Sequence, residues 1–363
     1  MPTGFYSIPI SQITKETHQA VSITLEIPPL MAPLFSYDAG QYLTVSAVVN
    51  NEEVRRSYSM SSSPVSDEKI TIAVKKVDGG RMSNYLNNEL SVGDKIDVMP
   101  PLGSFVLNVD AKNASNLVFW GGGSGITPLL SIIKTSLIDL PESKCLLIYA
   151  NRDEDNIIFK DELDALSDQY GERFSIIYTL DNPKTDWTGR SGFLTKEAVS
   201  EIARKELGLN YPMAHYYTCG PRPMMDIVLE GLKAIGIRDE NIHTEYFTAT
   251  PPTQTSQKDQ GEEDQGEEDQ EAREKTICVE VFGQKKEVVV KPDQTILEAA
   301  QDAGMDPPYS CTVGVCTTCR ARLKSGKASM DEREGLSDSE IEEGFILTCQ
   351  AHPLSDDVDL VFE

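Results

Sequence analysis

The sequence predicts a multidomain protein with three folded parts: an antiparallel β-barrel, an α/β domain on a parallel sheet, and a small C-terminal α+β domain. Short apolar runs separated by turn residues fill 5–110, which is typical of antiparallel strands. Strand-like and helix-like segments alternate over 115–247, which indicates a parallel sheet covered by helices. A polar stretch then precedes a cysteine-rich segment. We therefore predict domains at 1–110, 111–250 and 276–363, with a linker at 251–275.

Composition and charge narrow the class of protein. The chain has 363 residues, of which 39% are hydrophobic and 25% charged, as expected for globular domains. Its net charge of −25 argues against nucleic acid or an anionic membrane surface as a partner. No apolar run is long enough to span a bilayer, and the first residues, MPTGFYSIPI, do not read as a signal peptide. We expect no membrane insertion, a cytoplasmic location and reduced thiols.

The first part is predicted to be a barrel because its apolar runs are short and regularly spaced. The runs are QAVSITLEIP, GQYLTVSAVV, KITIAVKKV and KIDVMP, with one helical stretch at 81–90. In the second part the strand-like NLVFW, CLLIYA, FSIIYTL and HYYTCG each precede a helix-like segment. Sheets of this kind bind ligands beyond the carboxyl ends of their strands.

The segment 251–275 has the composition of a disordered linker. It contains a doubled GEEDQ, nine acidic residues, three basic residues and no aromatic residue. A solvated spacer is the preferred interpretation, and docking of the acidic repeat on a basic partner is the alternative. After it, TICVEVFG and KKEVVVK predict a hairpin, followed by a helix at ILEAAQDAG.

Four of the seven cysteines form the strongest chemical motif. Cys311, Cys316, Cys319 and Cys349 follow the C-x4-C-x2-C…C spacing of plant-type [2Fe–2S] ligands. Structural zinc is the alternative, but zinc sites usually show two C-x2-C pairs or a Cys/His pair. A Rieske centre needs two histidine ligands, and only His352 is near. Cys145 and Cys278 lie in apolar strands and are expected in the core.

With PPYSCTVGVCTTC and LTCQA, residues 276–363 resemble the plant-type ferredoxins. The resemblance implies a β-grasp fold and a [2Fe–2S] cluster on those four cysteines. Many members carry a basic residue directly after the first cysteine, whereas this chain has Thr312. The departure concerns the reduction potential of the cluster, not its ligation.

A flavin motif lies in the predicted barrel. Arg56-Ser-Tyr58-Ser59 follows a strand-like run, Lys75 comes later, and Gly79-Gly80-Arg81-Met82-Ser83 opens a helix. Free N–H groups at such a helix start, with arginine charge, suit a pyrophosphate. Alone, R-x-Y-S would equally fit an exposed strand edge. Residues 1–250 resemble the ferredoxin–NADP reductase superfamily, and this implies FAD at the barrel rim. The candidate FAD and cofactor-binding positions are Arg56, Tyr58, Ser59, Lys75, Gly80, Arg81, Met82 and Ser83.

A nicotinamide site is predicted at two turns of the α/β domain. The first is the loop GGGSGITP between a strand and a helix, where a tight turn without a ligand is the alternative. Its candidate residues are Gly123, Ser124, Gly125 and Thr127. The second is the CGP turn, which the superfamily places beside the nicotinamide, with candidates Cys219, Gly220, Pro221 and Met224. From sequence alone Cys219 could equally be an inert buried thiol.

Two further positions bear on the choice of nucleotide. Arg152 could pair with a 2′-phosphate and favour NADPH. Asp181 could accept from a ribose hydroxyl and favour NADH. The stretch TLDNPKTDWTGRSGFLT is similar to NADH-using members of the superfamily, so NADH is preferred.

The resemblances together imply an electron-transfer reductase. NAD(P)H delivers a hydride and an iron–sulfur cluster accepts one electron, so FAD must stand between them. Ser59 and Cys219 are the candidate catalytic residues. Phe247 is a candidate for the aromatic residue that the superfamily often has close to the flavin, and packing is the preferred explanation for it. With the reductase first and the ferredoxin last, the chain resembles phenylacetate-degradation reductases, which implies an oxygenase or another electron-acceptor protein as partner. Reductases of desaturases or other hydroxylases, and a non-catalytic redox-sensing module, are the alternatives.

Overall fold

The computed structural model describes residues 4–107, 116–247 and 274–362. The chain divides into two compact units, Met1–Phe247 and Thr248–Glu363. The predicted linker lies outside the described residues except for its last two, and the final one, Lys275, already begins the first strand of the second unit. In the described parts of the chain, no helix combines the length and apolar character needed to cross a membrane.

The first unit begins with a six-stranded antiparallel barrel. Its strands follow the order β4-β3-β6-β1-β2-β5, and a bridge between Met60 and Ile72 joins the end of β4 to β5. β1 was not among the predicted runs because polar residues and Pro9 interrupt its apolar pattern, and Ile8 and Ile10 alone supply its fully buried apolar side chains. The elements are β1 (Tyr6–Thr17), β2 (Ala20–Leu25), β3 (Tyr42–Val49), β4 (Glu52–Ser59), β5 (Thr71–Lys75), α1 (Arg81–Asn88) and β6 (Lys95–Val98).

The second half of this unit is the predicted α/β fold. Its six strands are all parallel, in the order β10-β9-β8-β7-β11-β12, with α2 and α3 packed on one face and α4 and α5 on the other. The elements are β7 (Asn116–Gly122), α2 (Ile126–Asp139), β8 (Lys144–Asn151), α3 (Lys160–Tyr170), β9 (Phe174–Leu180), β10 (Arg190–Ser191), α4 (Lys196–Leu207), β11 (His215–Gly220), α5 (Arg222–Ala234) and β12 (Ile242–Tyr246).

Helix α2 joins the barrel to the α/β part through polar contacts. The Ser131 hydroxyl donates to the Ser62 carbonyl at 2.6 Å, and the Lys134 ammonium lies 2.6 Å from the Asp67 carboxylate. Ser62 and Ser131 are buried, so the loss of their contact would leave polar groups without water to replace it. Lys134 also pairs with Glu162 at 2.8 Å. The contacts fix the barrel rim against the carboxyl edge of the parallel sheet.

The second unit has the β-grasp arrangement. A five-stranded mixed sheet runs in the order β14-β13-β19-β15-β17, and β16 pairs with β18. Thr295 begins α6 with a capping box, which explains why this short helix is well defined. The elements are β13 (Lys275–Val281), β14 (Gln284–Val290), α6 (Ile296–Asp302), β15 (Arg320–Ser325), β16 (Ala328–Met330), α7 (Asp338–Glu342), β17 (Phe345–Leu347), β18 (Ala351–Pro353) and β19 (Asp359–Phe362).

Candidate functional site

The R-x-Y-S motif occupies the end of β4 at the barrel rim. Arg56 is exposed, Tyr58 is half-buried and Ser59 is buried. Residues two apart on a strand face the same way, so Arg56 and Tyr58 present a cation and an aromatic ring on one surface. Burial raises the pKa of the Tyr58 hydroxyl, which therefore stays protonated. This surface suits a flat ring with a charged tail.

The Gly80–Ser83 turn is held by its own side chains. The Val77 N–H donates to the Ser83 hydroxyl at 3.1 Å, and a Cβ on Gly80 would lie 2.6 Å from that oxygen. Met82 is buried in the barrel core, so it can offer only backbone groups to a ligand. Arg81 is exposed and forms an ion pair with Glu52. The start of α1 is thus a fixed backbone cradle.

Lys75 is placed away from the Gly80 turn with which the sequence had grouped it. Its ammonium lies 3.5 Å from where a Cβ on Gly123 would stand, in the first nucleotide loop. Desolvation lowers the pKa of Lys75, partly opposed by Asp153. The barrel therefore contributes a cation to the α/β side of the site.

The two predicted nucleotide turns are in direct contact. A Cβ on Gly125 would lie 2.1 Å from the Cys219 carbonyl oxygen, and one on Gly122 would lie 2.7 Å from Met224. Glycine is therefore required wherever the loop crosses the CGP turn. Thr127 donates its hydroxyl to the Ser124 carbonyl at 3.0 Å. The packing brings Gly123, Ser124, Gly125, Thr127, Cys219, Gly220, Pro221 and Met224 to one edge of the sheet.

Tyr149 supports this loop from below and was not identified from the sequence. Its hydroxyl donates to the Gly123 carbonyl at 2.8 Å, and Gly123 has a φ of +52°. The residue lies in an apolar strand, where nothing distinguishes it from a core tyrosine. Its contact depends on the register of β8 against β7, which only the folded chain reveals.

Arg152 and Asp181 lie side by side just beyond the ends of β8 and β9. The Asp181 N–H donates to the Asn151 carbonyl at 3.0 Å, and the Asn182 N–H donates to the Arg152 carbonyl at 2.7 Å. The Arg152 side chain is 75% exposed. Both residues thus lie at the carboxyl edge of the parallel sheet.

The barrel and the α/β part meet at a cluster of three polar side chains. The Ser59 hydroxyl donates to Glu245 Oε2 at 3.2 Å, and Cys219 pairs with Glu245 across β11 and β12. Although Glu245 is half-buried as a whole, its carboxylate is enclosed, and desolvation raises its pKa to about 8. Burial and the Glu245 charge raise the pKa of the Cys219 thiol. Both groups are therefore protonated at neutral pH.

Glu245 is the residue that sequence reasoning missed. It belongs to the segment Glu245-Tyr246-Phe247 at the end of the α/β part, and the sequence pattern pointed only to Phe247. Phe247 is 38% exposed at the end of the first unit. No sequence pattern indicates a contact between Glu245 and Ser59, because the two residues are 186 positions apart.

The four predicted ligand cysteines come together in the second unit. Cys311 Sγ and Cys316 Sγ are 3.1 Å apart, and the thiols of Cys311 and Cys319 both contact that of Cys349. Hydrogen bonds from neighbouring thiols lower the pKa of Cys311. Among the described residues no group of three or more His, Cys, Asp or Glu is arranged for a single metal ion. Each of the four thiols touches at least one other, and four thiolates in one place are the number of ligands that a [2Fe–2S] cluster requires.

The backbone of the cysteine loop also fits a cluster. Thr312 has a φ of +59° and Gly314 of +78°, and a Cβ on Gly314 would lie 2.7 Å from the Glu332 Cβ. These values turn the chain sharply, and the Val313 N–H donates to Cys311 Sγ at 3.5 Å. Amides directed at sulfur are the usual means of tuning a cluster.

The expectation for the remaining cysteines was half right. Cys145 is buried, as predicted. Cys278 was expected in the core, which is wrong: it is only partly buried and lies beside Lys285. In β13 the alternate positions Ile277 and Val279 take the inward face, which leaves Cys278 on the other side of the sheet.

Family models match all three folded parts. The oxidoreductase FAD-binding domain matches residues 7–107, the oxidoreductase NAD-binding domain 119–230, and the 2Fe-2S iron-sulfur cluster binding domain 279–354. The matched segments contain the R-x-Y-S motif, both nucleotide turns and the four cysteines. FAD, a pyridine nucleotide and a [2Fe–2S] cluster are therefore the cofactors of this chain.

Full-length relatives show the same combination. The E component of 1,2-phenylacetyl-CoA epoxidase from Escherichia coli K12 is 34% identical, over 99% of this chain and 98% of the relative. The ferredoxin reductase component of 3-ketosteroid-9-alpha-monooxygenase from Rhodococcus rhodochrous is 32% identical, over 100% and 99%. The solved structure of phthalate dioxygenase reductase matches with a TM-score of 0.60 and 27% identity, over 99% and 98% of the two chains. The chain thus belongs to the ferredoxin reductase family in which FAD-binding, NAD-binding and plant-type [2Fe–2S] domains share one polypeptide, and it is an electron-transfer oxidoreductase.

Proposed function

We propose that this chain is the NADH-dependent reductase component of an oxygenase, with a phenylacetyl-CoA epoxidase-type enzyme in phenylacetate catabolism as the electron acceptor. The contact of Ser59 with Glu245, beside Cys219 and both nucleotide turns, is the observation that carries the reductase assignment. It joins the barrel motif to the nucleotide edge at one point. The similarity to the E component of the epoxidase, over nearly the whole chain, supports the choice of acceptor.

The barrel residues would bind FAD by charge and shape. Arg56 and the backbone N–H groups at the start of α1 would hold the pyrophosphate, with Arg81 available once it leaves Glu52. Tyr58 would lie against the ring system and Ser59 would reach its edge. FAD accepts a hydride from NAD(P)H and releases electrons singly, and the [2Fe–2S] cluster accepts one at a time.

The nucleotide would bind across the two glycine turns. Gly123, Ser124 and Gly125 would present backbone N–H groups to its pyrophosphate, and Thr127 would fix the loop through its contact with Ser124. The Lys75 ammonium beside Gly123 would add a positive charge from the barrel. Cys219 to Met224 would border the nicotinamide and exclude water there.

Glu245 would keep a proton at the site of transfer. With a pKa of about 8, its carboxyl is protonated at pH 7 and places no negative charge beside Ser59. An ionised carboxylate there would oppose the arrival of a hydride and of a more negative ring. Transfer from NADH should therefore slow as the pH rises through 8.

NADH is proposed over NADPH because Asp181 stands beside Arg152 at the ribose end. A carboxylate accepts from a 2′-hydroxyl and repels a 2′-phosphate. The Arg152 side chain is mostly exposed, and its Nε lies 4.0 Å from the Asp153 carboxylate, so a neighbouring acid already offsets part of its charge. From Asp181 and Arg152 together we do not expect an enzyme that is specific for NADPH alone.

The cluster would be held by Cys311, Cys316, Cys319 and Cys349 and would pass electrons outward. We propose domain limits of 1–110, 111–250, 251–275 and 276–363 for this relay. A cytoplasmic location is proposed because four ligand thiols must stay reduced until the cluster is built.

Anaerobic titration tests the proposal. The purified chain, loaded with FAD, iron and sulfide, is mixed with NADH or NADPH while flavin absorbance and the electron paramagnetic resonance of the cluster are recorded. We expect flavin bleaching and a reduced-cluster signal with NADH, and a slower response with NADPH. The Cys316→Ser variant should still bleach the flavin but lose the cluster signal. No bleaching with either nucleotide would refute the reductase assignment.

The acceptor is tested by reconstitution. The chain is added with NADH to a phenylacetyl-CoA epoxidase lacking its own reductase, and epoxide formation is measured. A 3-ketosteroid 9α-monooxygenase serves as the second acceptor, because reductases of that system are 30–32% identical. Turnover by the monooxygenase alone would replace the epoxidase assignment with the hydroxylase alternative. Bleaching without turnover by any acceptor would favour a redox-sensing module.

A further inference from the structure

Glu245 lies on a short strand at the edge of the parallel sheet. β12 is five residues long, and within the part of the chain that the structure describes it pairs with β11. The chain leaves the sheet after Tyr246, and the first unit ends one residue later. Because Glu245 is one residue from the end of this edge strand, side-chain contacts are needed to fix the position of its carboxylate.

That support is visible at Tyr246. The guanidinium carbon of Arg222 lies 4.9 Å from the centre of the Tyr246 ring, within the range of a cation–π contact. Arg222 Nε also donates to Asp226 Oδ1 at 2.9 Å, one helical turn on. The second contact orients the guanidinium, so the ring is held from a fixed point at the start of α5.

Arg222 is itself anchored to the nucleotide edge. It follows Pro221 of the CGP turn, and Pro221 and Met224 both pack against Gly122 in the facing loop. Gly220, at the end of β11, is the register partner of Tyr246. Arg222 therefore links the end of β12 to the closely packed contact between the two nucleotide turns.

The other end of β12 is held independently. The His243 ring stacks on Tyr217 with centroids 4.5 Å apart and planes 20° apart, and His243 Nε2 is 3.5 Å from His215 Nδ1. Glu245 thus sits between an aromatic stack at the start of the strand and a cation–π contact at its end. Loss of the Arg222–Tyr246 contact would therefore loosen the end of β12 that carries Glu245, while the stack of His243 on Tyr217 still holds the start of the strand.

We propose that Arg222 is a positioning residue that acts through the Tyr246 ring to hold the Glu245 carboxylate against Ser59. The inference rests on the proposed role of Glu245 in hydride transfer. In this role Arg222 acts through Tyr246 and does not contact the flavin or the nicotinamide.

The kinetic test uses the full-length holoprotein in anaerobic stopped-flow with saturating NADH across pH 6–9.5. Arg222→Gln should lower the limiting rate of flavin reduction roughly tenfold, which corresponds to the loss of one partly exposed cation–π contact. It should also displace the inflection in the pH profile, with little change in the KM for NADH. Arg222→Lys keeps a cation over the ring and should recover most of the rate.

Further variants separate the contacts of Arg222. Tyr246→Leu should reproduce Arg222→Gln, and the double variant should be no worse than either single one, because both remove the same contact. Arg204→Gln removes a comparable cation–π contact with Tyr211, at 6.0 Å, and should leave the pH profile unchanged. A raised KM with an unchanged profile in Arg222→Gln would overturn the proposal and make Arg222 a nucleotide ligand.

A second measurement does not depend on turnover. The Glu245 carboxyl is titrated in full-length protein carrying 13C-labelled glutamate, with Glu245→Gln identifying its signal. Arg222→Gln should move this titration toward that of an ordinary glutamate, because the carboxylate gains access to water. An unchanged titration overturns the positioning role whatever the kinetics. If wild type fails to bleach with NADH while the titration moves as expected, the proposed function fails and the positioning role stands.

Discussion

Replacing Glu245 with glutamine should stabilise the first unit at alkaline pH. Glutamine keeps an acceptor for the Ser59 hydroxyl but cannot ionise. Desolvation raises the pKa of Glu245 from 4.5 to about 8 in the folded chain. The folded state therefore holds this proton more tightly than the unfolded state between these two values, and wild-type stability falls as the pH rises through them. Glu245→Gln has no such group, so its free energy of unfolding does not fall for this reason between pH 4.5 and 8.

The structure sets the size of this difference. A pKa displaced from 4.5 to about 8 corresponds to about 5 kcal/mol in the free energy of unfolding. Because the residue as a whole is half-buried, water can approach the carboxylate once it ionises, and we expect roughly 2–3 kcal/mol. The difference between variant and wild type should be near zero at pH 4.5 and reach this size above pH 8. For a unit of this length it corresponds to a shift in Tm of roughly 5–10 °C.

Differential scanning calorimetry of the flavin-free protein at intervals from pH 5 to 9 measures this effect. Glu240→Gln, which changes an exposed carboxylate near the start of the same strand, is the matched control and should follow wild type. Curves of Tm against pH that run parallel for wild type and Glu245→Gln would refute the reasoning, because they would show that the carboxyl ionises as freely in the folded chain as in water.

Three other changes have defined outcomes. Cys316→Ser should abolish bound iron and labile sulfide in elemental analysis while Cys278→Ser, outside the ligand set, leaves both intact; equal iron in the two variants would contradict the assigned ligands. Asp181→Ala should raise the ratio of NADPH to NADH efficiency at least roughly tenfold by removing repulsion of the 2′-phosphate, and Asp186→Ala in the same loop should not. Gly125→Ala should destabilise the first unit by roughly 3 kcal/mol in a thermal melt, because its methyl group would lie 2.1 Å from a backbone oxygen; an unchanged Tm would show that the two turns are not in contact.

The order of folded parts was readable from the sequence because each signal is local. The spacing of Cys311, Cys316 and Cys319 places three thiols in one loop, and the structure has a sharp turn in that loop at Gly314. The alternation of strands and helices predicted the parallel sheet, since each crossover helix must bury one apolar stripe. The acidic segment was recognisable by composition alone, and it lies almost wholly outside the described residues.

Predicted cofactor residues that share one turn in the sequence also lie together in the structure. Gly80 to Ser83 and Cys219 to Met224 each form a continuous backbone turn, so their sequence neighbours are also their spatial neighbours. Lys75 shows the limit of this reasoning. It precedes the Gly80 turn by only five positions, yet its ammonium points to Gly123, because β5 runs past the barrel rim toward the nucleotide loop.

By itself, the sequence determined which chemistries this chain can carry: a four-thiol site, a flavin motif on a barrel and two glycine turns on a parallel sheet. Tertiary structure alone decided where they meet. Ser59, Cys219 and Glu245 lie on three strands from two parts of the first unit, and no periodicity relates them. Their contact follows from the register of β12 on β11 and from the docking of α2 on the barrel. The raised pKa of Glu245 arises only when that docking removes water from its carboxylate.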